Sequence, residues 1–279
     1  LLMSLLARFS MDSNASSWYL ADPSQRCEQY SMHDRTCAWY KVSNCSGVKY
    51  RRTFERIPSF LAANWVCQAL GGVQQTLFGG MWQFTTRPDH ADTAYTNLPL
   101  AVHNDNTYFT EAAGLQVLHC LKHHNVVGGE TILVDGFYGA TRLKEECPES
   151  FDFLSTFELE AEYIEEGHHH RYAAPVIRVD WKTDDLKQIR FNVYDRSPMA
   201  FKNSLECKTY YRSLRKLAEY YNEPDHQWQF KLIPGVVMVM NNFRVLHGRT
   251  AFSGERVLCG SYVSQSDWLD RSRALGLIV

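Results

Sequence analysis

In Ala101-Val-His-Asn-Asp-Asn-Thr-Tyr-Phe109, His103 and Asp105 stand two residues apart. On a strand or its immediate extension such residues project to the same side, so an imidazole and a carboxylate converge on one point while Asn104 faces away. A third ligand must come from elsewhere. His247, in Met240-Asn-Asn-Phe-Arg-Val-Leu-His-Gly-Arg249, ends a second apolar run and is the candidate. Two histidines and one carboxylate make the facial triad of non-haem Fe(II) oxygenases, which leaves three coordination positions open. A His-x-Asp pair alone usually serves as surface polarity; the distal His-Gly-Arg is what gives this one weight.

A 2-oxo acid chelating iron through its keto and carboxylate oxygens would take two of those positions and leave one for O2. Its far carboxylate then needs a fixed cation. Arg256 opens the run Arg-Val-Leu-Cys-Gly-Ser-Tyr-Val263, and its planar fork matches a carboxylate bidentately. Arg249 is the second candidate, with an ordinary surface arginine as the competing reading for either. Aromatic residues flank these segments: Phe78, Trp82, Tyr95 and Tyr262. Singly such rings are more often core, but gathered round one cavity they would cage a quaternary ammonium ion, which has no N–H to donate. Each ring contact would contribute roughly 0.5 to 2 kcal/mol.

The elements that must position these groups are short strands with turn punctuation. Strands are predicted over Gly114 to Cys120, Thr131 to Val134, Pro175 to Val179, Gln188 to Val193, Trp228 to Leu232, Val236 to Met240 and Arg256 to Val263. Gly128-Gly129 and Pro234-Gly235 predict turns. One helix is predicted over Tyr138 to Glu146, stopped by Pro148, and Tyr210, Leu214, Leu217, Ala218 and Tyr221 recur at the spacing of an amphipathic helix. This pattern predicts a mainly β fold with inserted helices, a two-sheet jelly roll or barrel. His168-His169-His170 reads as a solvated loop.

Residues 1–70 show no sustained period and read as an irregular appendage, leaving 71–279 as the catalytic domain. Cys27, His33, Cys37 and Cys45 offer zinc-ligand types there, but their gaps do not match paired-Cys ribbons or fingers. Eight cysteines dispersed over 279 residues are too sparse for a disulfide framework and point to a reducing compartment. Cys120 and Cys259 read as small buried hydrophobes in strands. With 29 Lys+Arg against 31 Asp+Glu, nucleic-acid binding by bulk charge is excluded. No apolar run approaches the roughly 20 residues of a membrane span. The apolar opening with Arg8 and no acid before Asp12 is compatible with the remnant of an organelle-targeting segment.

From about Leu77 to Leu277 the chain resembles the gamma-butyrobetaine/trimethyllysine branch of the Fe(II)- and 2-oxoglutarate-dependent dioxygenases. The segments that carry the resemblance are Phe78-Gly-Gly-Met-Trp82, Asp92-Thr-Ala-Tyr95, His103-Asn-Asp-Asn-Thr-Tyr-Phe109, Gly129-Glu-Thr-Ile-Leu-Val-Asp-Gly-Phe137, Arg190-Phe-Asn192, Tyr194-Asp-Arg196 and Asn242-Phe-Arg-Val-Leu-His-Gly-Arg249. The resemblance implies a double-stranded β-helix with iron held by His103, Asp105 and His247 and 2-oxoglutarate anchored by Arg256. It also implies a trimethylammonium cage of Phe78, Trp82, Tyr95 and Tyr262, ascorbate as reductant, and a mitochondrial matrix location. Asn104 stands where the family usually has threonine.

Within this branch Asp92 favours trimethyllysine, because a buried carboxylate beside the cage would take its α-ammonium and repel gamma-butyrobetaine, which lacks one. Asn192 is expected at the polar end of the substrate. The expected reaction is hydroxylation of N6,N6,N6-trimethyllysine at carbon 3, the first step of carnitine biosynthesis. The alternatives are gamma-butyrobetaine hydroxylation and an inactive betaine-binding jelly roll. A homodimer is a candidate assembly.

Overall fold

The computed structural model describes residues 39–41, 59–85 and 96–278. In chain order these form β1 (Trp39–Lys41), α1 (Ser59–Leu70), β2 (Met81–Thr85), β3 (Leu100–His103), β4 (Ala113–Gly128), β5 (Thr131–Asp135), α2 (Gly136–Glu146) and α3 (Pro148–Thr156). Then follow β6 (Glu158–Glu165), β7 (His168–Pro175), β8 (Ile177–Val179), β9 (Leu186–Ile189) and α4 (Ser204–Asn222). The chain closes through β10 (Gln227–Phe230), β11 (Val237–Asn241), β12 (Val245–Arg249), β13 (Phe252–Ser264) and α5 (Gln265–Ala274). No helix among the described residues is long and apolar enough to cross a membrane.

Two antiparallel sheets face each other, one ordered β1-β11-β4-β13-β2 and the other β10-β5-β12-β3. The strand period of two sorts their side chains. On β4 and β13, Leu118, Cys120, Leu258 and Tyr262 point between the sheets, with Leu133, Met238, Met240 and Val245 from their neighbours. Leu115, Val117, Cys259 and Val263 point outward instead, under α1 and α5. The second sheet is covered by α2, α3 and α4, whose Leu143, Leu154, Tyr210 and Leu217 pack on Val102, Val134 and Leu246. This is a jelly roll with helices on both outer faces.

Local chemistry fixes the element ends. Asp135 caps α2 by accepting from the amides of Phe137 and Tyr138, and the same carboxylate receives Arg244, with Nη2 to Oδ2 at 2.8 Å. That buried pair pins the turn between β11 and β12, the turn that aims His247. The predicted turns at Gly128-Gly129 and Gly235 are present, each with positive φ, a conformation that glycine reaches without a Cβ penalty.

Four sequence expectations are corrected. Residues 59–70, read as irregular, form α1. Its buried Ala62, Ala63, Val66, Cys67 and Leu70 recur at helical spacing, but small side chains make the apolar stripe weak. Pro148 does not merely stop α2; it stands at the first turn of α3, where its missing N–H costs nothing. His168–His170 belong to β7, not a loop, and His169 Nε2 meets Glu162 across the hairpin at 2.7 Å. The strand expected over 188–193 ends at Ile189, because the next backbone groups bond elsewhere: Arg190 N to Val176 O and Asn104 N to Phe191 O, both at 2.8 Å.

Candidate metal centre and its cavity

β3 and β12 are adjacent antiparallel strands, and His103 pairs directly with His247. Their rings lie 4.5 Å apart. Asp105, two residues beyond the end of β3, places Oδ1 3.3 Å from His103 Nε2 and 3.6 Å from His247 Nε2. The three donor atoms all lie within 4.8 Å of one another, and this is the only such group among the described residues.

Each donor is aimed by neighbours. His103 Nδ1 lies 2.8 Å from the Ala101 carbonyl, which can only accept, so the proton sits on Nδ1 and Nε2 is free for a metal. Asp105 Oδ2 accepts from the Tyr262 hydroxyl at 2.8 Å and from the Gln116 amide, leaving Oδ1 toward the imidazoles. The backbone of Asp105 is gripped by Asn242, which accepts from its N–H at 2.9 Å and donates to its carbonyl at 3.0 Å. Asn104 faces away, as the strand period requires, and donates to the carbonyls of Asn242 and Val245 at 2.8 and 3.0 Å.

The electrostatics suit a cation. Burial opposes ionisation of Asp105, but His247, His103 and the Tyr262 hydroxyl outweigh it and hold the carboxyl well below the ordinary range. Burial pulls His247 down to about 4. Burial acts the same way on His103, yet the hydrogen bond and charge of Asp105 raise it overall. A carboxylate flanked by two imidazole nitrogens fits a divalent first-row metal with N and O ligands.

One cavity is lined by the triad together with Arg249, Arg256, Asn192 and the rings of Phe78, Trp82 and Tyr262. The two arginines differ. Arg249 donates to the carbonyls of Thr96 and Leu98, tying down that segment. Arg256 is 8% exposed, its Nε has no hydrogen-bond partner, and it lies in mid-strand on β13 rather than at the strand's start. Burial lowers its affinity for the proton, and an anion would relieve that cost. The Asn192 amide already serves the local turn, donating to Asp195 Oδ2 at 2.7 Å and accepting from Tyr194 N at 2.9 Å. Asp92, Tyr95 and the cysteine-histidine set at 27–45 lie outside the described residues.

Sequence reasoning missed Tyr108, Tyr163, Gln116, Thr131 and Asp195 on the same wall. Tyr163, on β6, stacks on Tyr108 at 4.9 Å and meets Phe78 edge-on at 5.7 Å. Gln116 carried a signal: a polar residue at an inward position of the apolar run Leu115-Gln-Val-Leu118. Tyr163 carried none, since only the long-range folding of its hairpin brings it there.

Comparison with known proteins agrees with this geometry. Residues 61–262 match the family described as taurine catabolism dioxygenase TauD, TfdA family. The chain is 42% identical over 209 residues to mitochondrial trimethyllysine dioxygenase of Rattus norvegicus, covering 74% of this chain and 49% of that one. A trimethyllysine dioxygenase of Meyerozyma guilliermondii is 34% identical over 216 residues, covering 76% and 54%. The chain thus spans about half the length of these relatives. Among solved structures, asparagine oxygenase in complex with Fe(II), 3-hydroxyasparagine and succinate matches with a TM-score of 0.58 at 20% identity, covering 75% of this chain and 64% of that one. The non-haem iron oxygenase OrfP with Fe and alpha-ketoglutaric acid matches with a TM-score of 0.54 at 19% identity, covering 75% and 64%. With its jelly roll, its triad and a family match that runs from α1 to Tyr262, the chain belongs to the TauD/TfdA family of dioxygenases.

Proposed function

We propose that this chain hydroxylates N6,N6,N6-trimethyllysine at carbon 3, with Fe(II), 2-oxoglutarate and O2. The observation that carries the reading is the shared cavity: a two-His, one-carboxylate triad, an unpaired buried guanidinium and several ring faces line one space. Its trimethyllysine relatives supply the substrate. The same relatives, one of them named as mitochondrial, support a mitochondrial location, and their name supports a place in carnitine synthesis.

His103, Asp105 and His247 would hold the iron, which when bound supplies the redox chemistry that couples oxidative decarboxylation of 2-oxoglutarate, to succinate and CO2, to hydroxylation of the substrate. Arg256 would receive the far carboxylate of 2-oxoglutarate through its fork, in a cavity whose wall also includes Thr131. Phe78, Trp82 and Tyr262, with Tyr163 and Tyr108, would enclose the trimethylammonium group by their faces. Asp92 would receive the α-ammonium, Tyr95 would complete the cage and Asn192 would border the polar end. Held by both ends, the substrate presents one carbon to the metal, and positioning of this kind is a large part of such catalysis. Ascorbate would keep the iron ferrous.

The test is succinate release by the purified protein with Fe(II), 2-oxoglutarate and either trimethyllysine or gamma-butyrobetaine. Faster turnover of trimethyllysine supports the reading. Preference for gamma-butyrobetaine overturns the substrate assignment, and binding without succinate makes the chain a betaine-binding jelly roll.

A further inference from the structure

A second cavity, of about 200 Å³, lies between the segment that follows the metal arm and the β7–β9 region, and it shares no lining residue with the first. That volume exceeds many times over the 10–15 Å³ or so that one water needs. Two arginines face it, Arg178 on β8 and Arg190 just past β9. Arg190 is 3% exposed, donates to the carbonyls of Ala174 and Thr107, and lies over the Tyr172 ring at 5.0 Å. Neither guanidinium forms an ion pair with a described carboxylate. Arg190 is the buried one of the two, and burying a charge without a counter-ion is expensive; burial pulls it down to about 10, with Arg178 pushing the same way against Tyr172 and Glu158.

The remaining polar lining is also rich in donors. Gln188 accepts from Arg178 Nη1 through its Oε1 at 2.9 Å, which leaves its amide NH2 to donate. Gln265 accepts from the Trp268 indole through its own Oε1 at 2.8 Å, again leaving an NH2. The one acid on the wall, Glu111, has an oxygen engaged by the Ser266 hydroxyl at 2.8 Å. Two guanidiniums without a carboxylate partner and two amide donors round one cavity are complementary to an anion with several oxygens.

We propose that this cavity is a second binding site, for a small oxyanion, carboxylate or phosphate, held between Arg178 and Arg190. Arg190 also grips the Thr107 carbonyl, two residues past Asp105, so an anion here fixes the chain that carries the metal arm.

The experiment is calorimetric titration of the whole chain with inorganic phosphate and, separately, malonate at constant ionic strength. It is run in an Arg256→Gln background, which removes the unpaired cation of the first cavity. One site is expected, the tighter probe identifying the anion. Arg178→Gln should weaken it roughly tenfold, as for one lost charge-assisted hydrogen bond; Arg178 is exposed, so its replacement leaves the fold in place. No binding of either probe in the Arg256→Gln protein, or an affinity unmoved by Arg178→Gln, overturns the proposal.

Discussion

The Tyr262 hydroxyl donates to Asp105 Oδ2 at 2.8 Å, so one ring both walls the cavity and turns a carboxylate oxygen toward the metal position. Burial and the adjacent Asp105 charge raise the phenol well above its ordinary range, which keeps the donated proton in place. Tyr262→Phe removes the hydrogen bond and keeps the ring. Loss of such an outer partner typically costs 10- to 100-fold in metal affinity; with Gln116 still holding Oδ2, the lower end, about tenfold, is expected. Fe(II) titration should show that loss while trimethyllysine affinity at saturating metal stays within about twofold, the ring contact being preserved.

Arg256 shows how a binding group opposes stability. In the ligand-free protein it is a buried cation without a carboxylate, and apolar replacement of such charges is often neutral or stabilising. Arg256→Met should therefore leave the urea midpoint of the ligand-free protein unchanged or raised. The same change should raise the 2-oxoglutarate KM about 100-fold, the worth of two charge-assisted hydrogen bonds. Arg256→Lys should recover little, since an ammonium lacks the fork.

Tyr163 reaches the cavity from the β6–β7 hairpin, outside both main sheets. If it is a wall of the cage, Tyr163→Leu removes one cation–π contact and should raise the trimethyllysine KM by about 3- to 30-fold. Steady-state kinetics should find the 2-oxoglutarate KM unmoved, because Arg256 is untouched.

The metal arm was legible in the sequence because its geometry is local: a period of two aligns His103 with Asp105 wherever the strand goes. His247 was legible because a histidine ending an apolar run is conspicuous. The cavity wall was not, since Tyr108, Tyr163 and Asp195 meet the site through a hairpin and a loop whose placement is set by tertiary packing. The two arginines could be nominated but not ranked, since only coordinates show that Arg249 spends its donors on Thr96 and Leu98 while Arg256 keeps a free Nε. The β-strand at His168–His170 escaped notice because its polar side chains suit a solvated hairpin as well as a loop.

Cys67, Cys120 and Cys259 are fully buried, and burial pushes their thiols up to about 12, 11 and 12. A folded-state value above the unfolded one stabilises the protein only while the unfolded thiol keeps its proton. Stability should thus be unaffected below pH 8 and decline as pH rises past the ordinary thiol value of about 8.5. Alkylation of the native protein at pH 8 should leave all three unlabelled, since the thiolate is the reactive form. Mass spectrometry of the labelled chain checks this, and modification of any of them would contradict their placement under α1 and in the sheets.

Gly260 on β13 makes room for Trp82: a Cβ there would lie 2.2 Å from the indole ring and 2.6 Å from the Val117 carbonyl. The backbone oxygen belongs to a central strand and cannot retreat far, so the ring must move. Gly260→Ala should cost about 2 kcal/mol of stability by urea unfolding, the usual range for overpacking. It should also weaken trimethyllysine binding, because the displaced indole no longer stands 5.3 Å from the Tyr262 ring. The two effects separate in a double-mutant cycle. Adding Trp82→Phe to Gly260→Ala shortens the offending ring and should recover part of the stability, giving a coupling of about 0.5 kcal/mol or more, while substrate affinity falls further. Strictly additive stabilities would mean that the Val117 carbonyl, not the Trp82 ring, sets the cost, and that glycine is required by the strand rather than by the cage.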